Sequence, residues 1–185
     1  MTPAGPAPSP HKGTTHSDAS PGALEPPRRL TFRNLSEVMP EVDRLCRGHR
    51  TLRRWTLGQI GRHLANGFHG SIDGFDLSRH RIKRTLFRRL LIAYTLRWGI
   101  PERYTVDPGI EPQEPVETET GVRELREALD RYRRHTGPLK PHPLFGEMPR
   151  PLWDRIHCIH CAHHLRFVVP DEGTGAPAAD QSSSS

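Results

Sequence analysis

WDRIHCIHCAHHLR, spanning Trp153–Arg166, is the stretch on which the reading of this chain turns. Four histidines (His157, His160, His163, His164) and two cysteines (Cys158, Cys161) fall within eight consecutive positions. As a helix, the stretch stacks His160 and His164 one turn apart on a single face, where they can share an ion. At about 100° of rotation per residue, His157 and Cys161 lie near that face. Neutral imidazole binds zinc, nickel, copper and iron, so the pattern points to a metal centre.

Outward from this stretch, helical periodicity predicts five segments. The last is Pro151–Val169. Before it, Gly121–His135 carries the apolar stripe Val122, Leu125, Leu129 and Tyr132. Ser36–Arg47 has Leu35, Val38, Val42 and Leu45 at helical spacing, and Pro40 falls where a helix start tolerates it. Leu57–Ile72 opens at Thr56, a good N-cap, and continues through Ile60, His63, Leu64 and Phe68. Ile82–Trp98 has Leu86, Phe87, Leu90, Leu91, Tyr94 and Trp98 on its apolar side. The connection Gly99–Thr120 is rich in Pro and Glu and reads as an extended surface loop; Gly137–Arg150 is a shorter, proline-rich one. No strand pair and no repeat of fixed period is expected, so the fold class is all-α.

Residues 1–27 hold almost no large apolar groups and residues 171–185 hold none, so both read as disordered tails. His11 and His16 fall in the first of them. The foldable part is then residues 28–170, enough for one core. The net charge of +6 comes mostly from arginine and gives weak attraction to phosphates or anionic lipids. Arg79 to Arg97 carries seven basic residues and no acid. Such a basic amphipathic helix either packs one face on the bundle or meets a membrane or nucleic acid. Three cysteines without scaffold-like density read as a reduced, cytoplasmic protein. No stretch approaches a membrane-spanning length, and Arg28-Arg29 lacks the apolar region of an export signal.

A metal site needs a third ligand from another helix. The best candidate is His63 within TLGQIGRHLANGF, flanked by Ile60 and the small residues Gly61, Ala65 and Gly67, which let helices approach closely around an ion. Alone, a histidine on such a face is more often a hydrogen-bonded core residue.

WTLGQIGRHLANGFHGSIDGF, HTGPLKPHPLFG and WDRIHCIHCAHHLRFVVP together resemble the DUF1569 group within the DinB-like superfamily, and RRLTFRNLSEVMPEVDRL resembles its first helix. The resemblance implies a four-helix bundle and a metal triad of His63, His160 and His164. It makes Ile82–Trp98 an additional helix inserted into that bundle. The superfamily includes S-transferases that use bacillithiol, mycothiol or glutathione, so the resemblance implies a divalent metal ion and a low-molecular-weight thiol. There the metal lowers the pKa of a thiol or water. A metal-dependent hydrolase and a non-catalytic metal-binding or stress-response protein are the alternatives. The metal is zinc or nickel, with iron or manganese also accepted. A small-molecule substrate is implied, and bundle faces suit a homodimer.

Cys158 and Cys161 invite a zinc-finger reading, but no second Cys-x-x-Cys exists. Cys161 is instead a fourth ligand or a pocket wall, and Cys158 a small buried hydrophobe. His142, in the loop HPLFG, is a candidate proton donor over the site mouth; the alternative is a turn plugged by Leu144 and Phe145. His157 either orients a ligand or substrate or serves the helix surface. His163 points away from the pair. Trp55 and Trp153 read as packing anchors at helix starts. Asp73 and Asp76 are either acids behind the ligands or caps of the turn that ends the second helix.

Overall fold

A computed structural model describes residues 25–75, 88–101 and 114–171. A short 3-10 turn, Leu35–Glu37, leads into α1 (Val38–Cys46); then come β1 (His49–Thr51), α2 (Leu57–Asp73), α3 (Arg88–Trp98), α4 (Thr118–Arg134), α5 (Arg150–Leu165) and β2 (Val168–Pro170). The described residues are mostly helical, with one small two-stranded sheet. Both expected tails, apart from their inner edges, lie outside the described residues. So do the start of the expected third helix, most of the Pro- and Glu-rich loop, and Asp76.

Local chemistry explains the helix starts. Thr56 caps α2 through a reciprocal box: its hydroxyl accepts from Gln59 N–H at 3.1 Å, and the Gln59 side chain accepts from Thr56 N–H at 2.9 Å. Asn34 accepts from Ser36 N–H ahead of α1. Pro151 sits in the first turn of α5, where its missing N–H removes no helix bond. Gly74, at φ +102°, ends α2 in a conformation that disfavours a side chain.

One apolar cluster joins the inward faces. Val38, Val42 and Leu45 come from α1; Leu57, Leu64 and Phe68 from α2; Leu125, Leu129 and Tyr132 from α4; Trp153 and Leu165 from α5. Helices α2 and α4 pack against each other more extensively than any other pair. Their backbones touch at glycines: a Cβ on Gly121 would overlap the Gly58 carbonyl, and one on Gly61 would overlap the Gly121 carbonyl. The obstructing atoms are main chain and cannot rotate aside. Gly121→Ala is therefore expected to lower the unfolding free energy by about 3 kcal/mol in urea titrations, at the upper end of overpacking costs. A change under about 0.5 kcal/mol would mean the two helices do not meet there.

Ion pairs reinforce the same contact from outside. Arg62 on α2 holds Glu124 on α4 in a bidentate pair at 2.7 and 2.8 Å, and Asp73 holds Arg131 at 2.6 and 2.7 Å. These groups are largely exposed, so they fix geometry more than they add stability.

The strands correct the expectation that no strand pair forms. The fifth helix stops at Leu165, not Val169. Phe167 N–H returns to His164 O, and the chain then runs antiparallel to β1 with Val169 opposite Arg50. Two further main-chain bonds, Leu52 N–H to Phe167 O and Asp171 N–H to Gly48 O, extend the ladder. Arg28 clamps this corner by donating to Val168 O at 2.6 Å and to Leu165 O at 3.1 Å. The second bond satisfies a carbonyl that the helix end leaves open. Two β-branched residues at the end of a helix favour this extended exit.

Candidate metal centre

The capping box fixes the start of α2, and helical periodicity places Ile60, His63 and Leu64 together on its buried face. Opposite, α5 presents His160 and, one turn on, His164. Gly67, one turn after His63, faces the His160 ring: a Cβ at that glycine would stand in ordinary van der Waals contact, 3.4 Å from His160 Cε1.

The three imidazoles converge. One ligand atom from each of His63, His160 and His164 lies within 4.8 Å of the other two. His63 Nε2 and His160 Nε2 are 3.0 Å apart. Two imidazole nitrogens sharing an ion at about 2.1 Å stand roughly 3.0–3.4 Å apart for bond angles of about 90–109°. The His63–His160 spacing fits that range. Among the described residues, no cysteine, aspartate or glutamate completes the group. The three residues lie close enough together to hold one ion.

The electrostatics suit ligation. Burial holds the His160 imidazole well below its ordinary value, and the neighbouring His164 and His63 push it further down. Burial does the same to His164, aided by His63 and His163. Both rings are therefore neutral near pH 7, with a lone pair available. His160 and His164 each keep part of their surface in solvent, so the group is reachable from outside.

Trp55 walls the site. Its ring stacks on His164 at 5.2 Å with the planes only 5° apart, and its centroid lies 5.0 Å from His63. Sequence reading gives Trp55 only a packing role. The one available signal is its position immediately before the N-cap Thr56, beside the first turn of α2.

The other candidates go elsewhere. His142 sits in a tight turn closed by paired main-chain bonds to Gly146, both 2.8 Å. Its Nδ1 accepts from Leu144 N–H at 3.0 Å and Phe145 N–H at 3.2 Å, so the ring proton resides on Nε2. The ring lies against Phe145, Trp153 and Phe75, and burial lowers its pKa to about 4. It makes no ring contact with the three grouped histidines. His157 stacks on Phe68 at 4.2 Å and on Trp153 at 5.1 Å, with Tyr132 edge-on. It is a core residue whose pKa burial drives down to about 3, and its Nε2 has no hydrogen-bond partner. Cys161 is fully enclosed in the apolar cluster, where burial pushes its thiol far up, and it stands outside the histidine group. Cys158 is buried in the same cluster. His163 packs edge-on to His164 and Phe167. Asp73 is committed to Arg131.

No curated protein and no solved structure matches the chain. A family profile described as "Protein of unknown function (DUF1569)" matches residues 24–171, a span that takes in α1 through β2 and all three histidines. That span is most of the sequence, and the protein belongs to the DUF1569 family.

Proposed function

We propose that His63, His160 and His164 bind one divalent cation with open coordination positions, and that the protein is a DinB-like metal-dependent enzyme. Helices α1, α2, α4 and α5 are taken as the four-helix bundle, with α3 inserted. Transfer of a low-molecular-weight thiol to an electrophile is the first activity, and hydrolysis the second. The observation that carries this reading is the convergence of three imidazoles from two helices with no cysteine, aspartate or glutamate beside them among the described residues. A structural site is usually closed by four protein ligands, whereas a catalytic one keeps a position for water or substrate.

A bound divalent ion supplies positive charge that lowers the pKa of a coordinated thiol or water. The three imidazoles carry no charge of their own, so they leave the cation's charge undiminished. Trp55 shields one side of the group and orients the His164 ring by stacking on it. In the proposed reaction the thiol proton passes to solvent, the sulfur bonds to the electrophilic carbon, and the leaving group departs with its electron pair.

The test is metal-loaded protein with a panel of low-molecular-weight thiols and 1-chloro-2,4-dinitrobenzene, and separately with an activated ester. At least a hundredfold faster consumption of one thiol than with His160→Ala supports transfer. Ester cleavage alone supports the hydrolase. Metal binding without either reaction would establish the non-catalytic alternative.

The position of Trp55 gives an independent readout. Titrating nickel into metal-free protein is expected to quench tryptophan emission, and Trp55→Phe to remove most of that change. Trp98 and Trp153, the other two tryptophans, make no ring contact with the three histidines and are expected to contribute little. Quenching that survives Trp55→Phe would place the metal elsewhere.

A further inference from the structure

All the large apolar side chains that are exposed among the described residues lie on one element, α3. They are Leu90, Tyr94, Leu96 and Trp98, with Leu90 66% and Trp98 68% exposed. Leu90, Tyr94 and Trp98 recur at i, i+4 and i+8 and so form a single stripe along the helix. The helix is held from another side: Thr95 is buried, and Leu91 and Ile92 pack against the core. The exposed stripe is therefore not an unfolded or frayed remnant but the outer flank of an anchored helix.

Charge decides what such a stripe suits. The sequence from Leu77 to Pro101 contains no acidic residue. Arg89 and Arg97 are exposed on α3, and the Arg97 guanidinium lies over the Trp98 ring at 5.5 Å. Tyr94 and Trp98 touch each other at 5.2 Å. Tyrosine and tryptophan favour the headgroup level of a bilayer, and arginine favours anionic lipid. Among the described residues no helix is long and apolar enough to cross a bilayer, and the apolar flank of α3 suits lying in the interface plane. Nucleic acid accounts for the arginines and leaves Leu90 and Leu96 without a role. A second copy of this face brings arginine against arginine.

We propose that α3 is a peripheral membrane-docking helix, seating Leu90, Tyr94 and Trp98 in the interface of an anionic bilayer while Arg89 and Arg97 meet lipid phosphates. This inference does not depend on the metal reading. Each arginine near an anionic surface raises partitioning about fivefold, so the two together contribute roughly 25-fold.

The test is co-sedimentation of the full-length protein with vesicles of phosphatidylglycerol and phosphatidylethanolamine, beside phosphatidylcholine vesicles. Binding to the anionic vesicles is expected, weakening as salt rises, with little binding to phosphatidylcholine. Arg89→Gln/Arg97→Gln is expected to lower partitioning at least tenfold. Leu90→Ser/Trp98→Ser is expected to do likewise and to remove the vesicle-induced blue shift of tryptophan emission. These side chains are exposed, so an unchanged melting temperature in both variants certifies folding. His160→Ala is expected to bind vesicles as the wild type does. Absence of vesicle binding overturns the proposal. So does salt-sensitive binding to DNA or RNA without vesicle binding, or a dimer that the Leu90→Ser/Trp98→Ser variant dissociates without any vesicle binding.

Discussion

The protein purified without a tag is expected to carry close to one divalent ion per chain, and His160→Ala and His63→Ala to carry almost none. Each variant removes one of three converging nitrogens. The loss in affinity should exceed the roughly 10–100-fold that follows when a group merely orienting a ligand is removed. Metal bound by the folded state alone also stabilises it. At a free concentration about a thousandfold above the dissociation constant the gain is about 4 kcal/mol, worth about 10 °C in melting temperature for a domain of this size. A chelator should therefore lower the wild-type melting temperature by that amount and leave both variants unmoved. His163→Ala is the matched control, since His163 shares the helix and touches the His164 and Phe167 rings yet lies outside the converging group. Cys161→Ser tests the remaining sulfur near the site, and its buried position predicts retained metal. Elemental analysis decides between zinc, nickel, iron and manganese, which three imidazoles accept to different degrees. Wild-type protein without metal after reconstitution, or metal kept in His63→Ala, would refute the three-histidine centre.

The parts of this site that sequence made legible are those a single period fixes. A helix places residues four apart on one face, so the pairing of His160 with His164 needed no tertiary information. His63 stood out because it is a polar residue on the apolar face of α2, between Ile60 and Phe68. That the two faces meet follows from the family resemblance, not from the period. Trp55 was not legible as a wall of the site. It precedes the helix, and no rule of spacing says whether a ring before the cap turns toward the first turn or toward the next element. His157 shows the opposite error. One turn before Cys161 it reads as near the ligand face, yet the small angular offset from His160 is enough to turn it into the aromatic core against Phe68. The strands were hidden because each has three residues, pairs with a partner more than a hundred positions away, and shows no alternation of its own. The basic helix was legible in composition. Only coordinates separate its buried Thr95 from its exposed Leu90 and Trp98.

Acidification of metal-free protein from pH 7 to pH 5 is expected to remove about 4 kcal/mol of stability through His142 and His157. Burial lowers their folded pKa values to about 4 and about 3, from an ordinary 6.5. The unfolded chain therefore takes up protons that the folded chain refuses. Above pH 6.5 neither state is protonated and the two groups do not affect stability. Below it, each costs about 1.4 kcal/mol per pH unit, until the pH reaches its folded value. At pH 5 that amounts to about 2 kcal/mol for each group. His160 and His164 shift in the same direction and add to the loss when no metal holds them. The carboxylates paired with arginine, Asp73 and Glu124, titrate only at lower pH and are too exposed to compete. His157→Phe isolates one contribution. A phenyl ring suits the stack between Phe68 and Trp153, and no hydrogen bond to Nε2 is lost because none exists. Removing an unpartnered buried nitrogen is close to neutral or favourable. In urea titrations with chelator present, the variant should match wild type within about 1 kcal/mol at pH 7.5 and exceed it by about 2 kcal/mol at pH 5. Equal dependence on pH in the two proteins would mean that His157 is not held neutral in the core, and the acid lability would then rest on His142 together with His160 and His164.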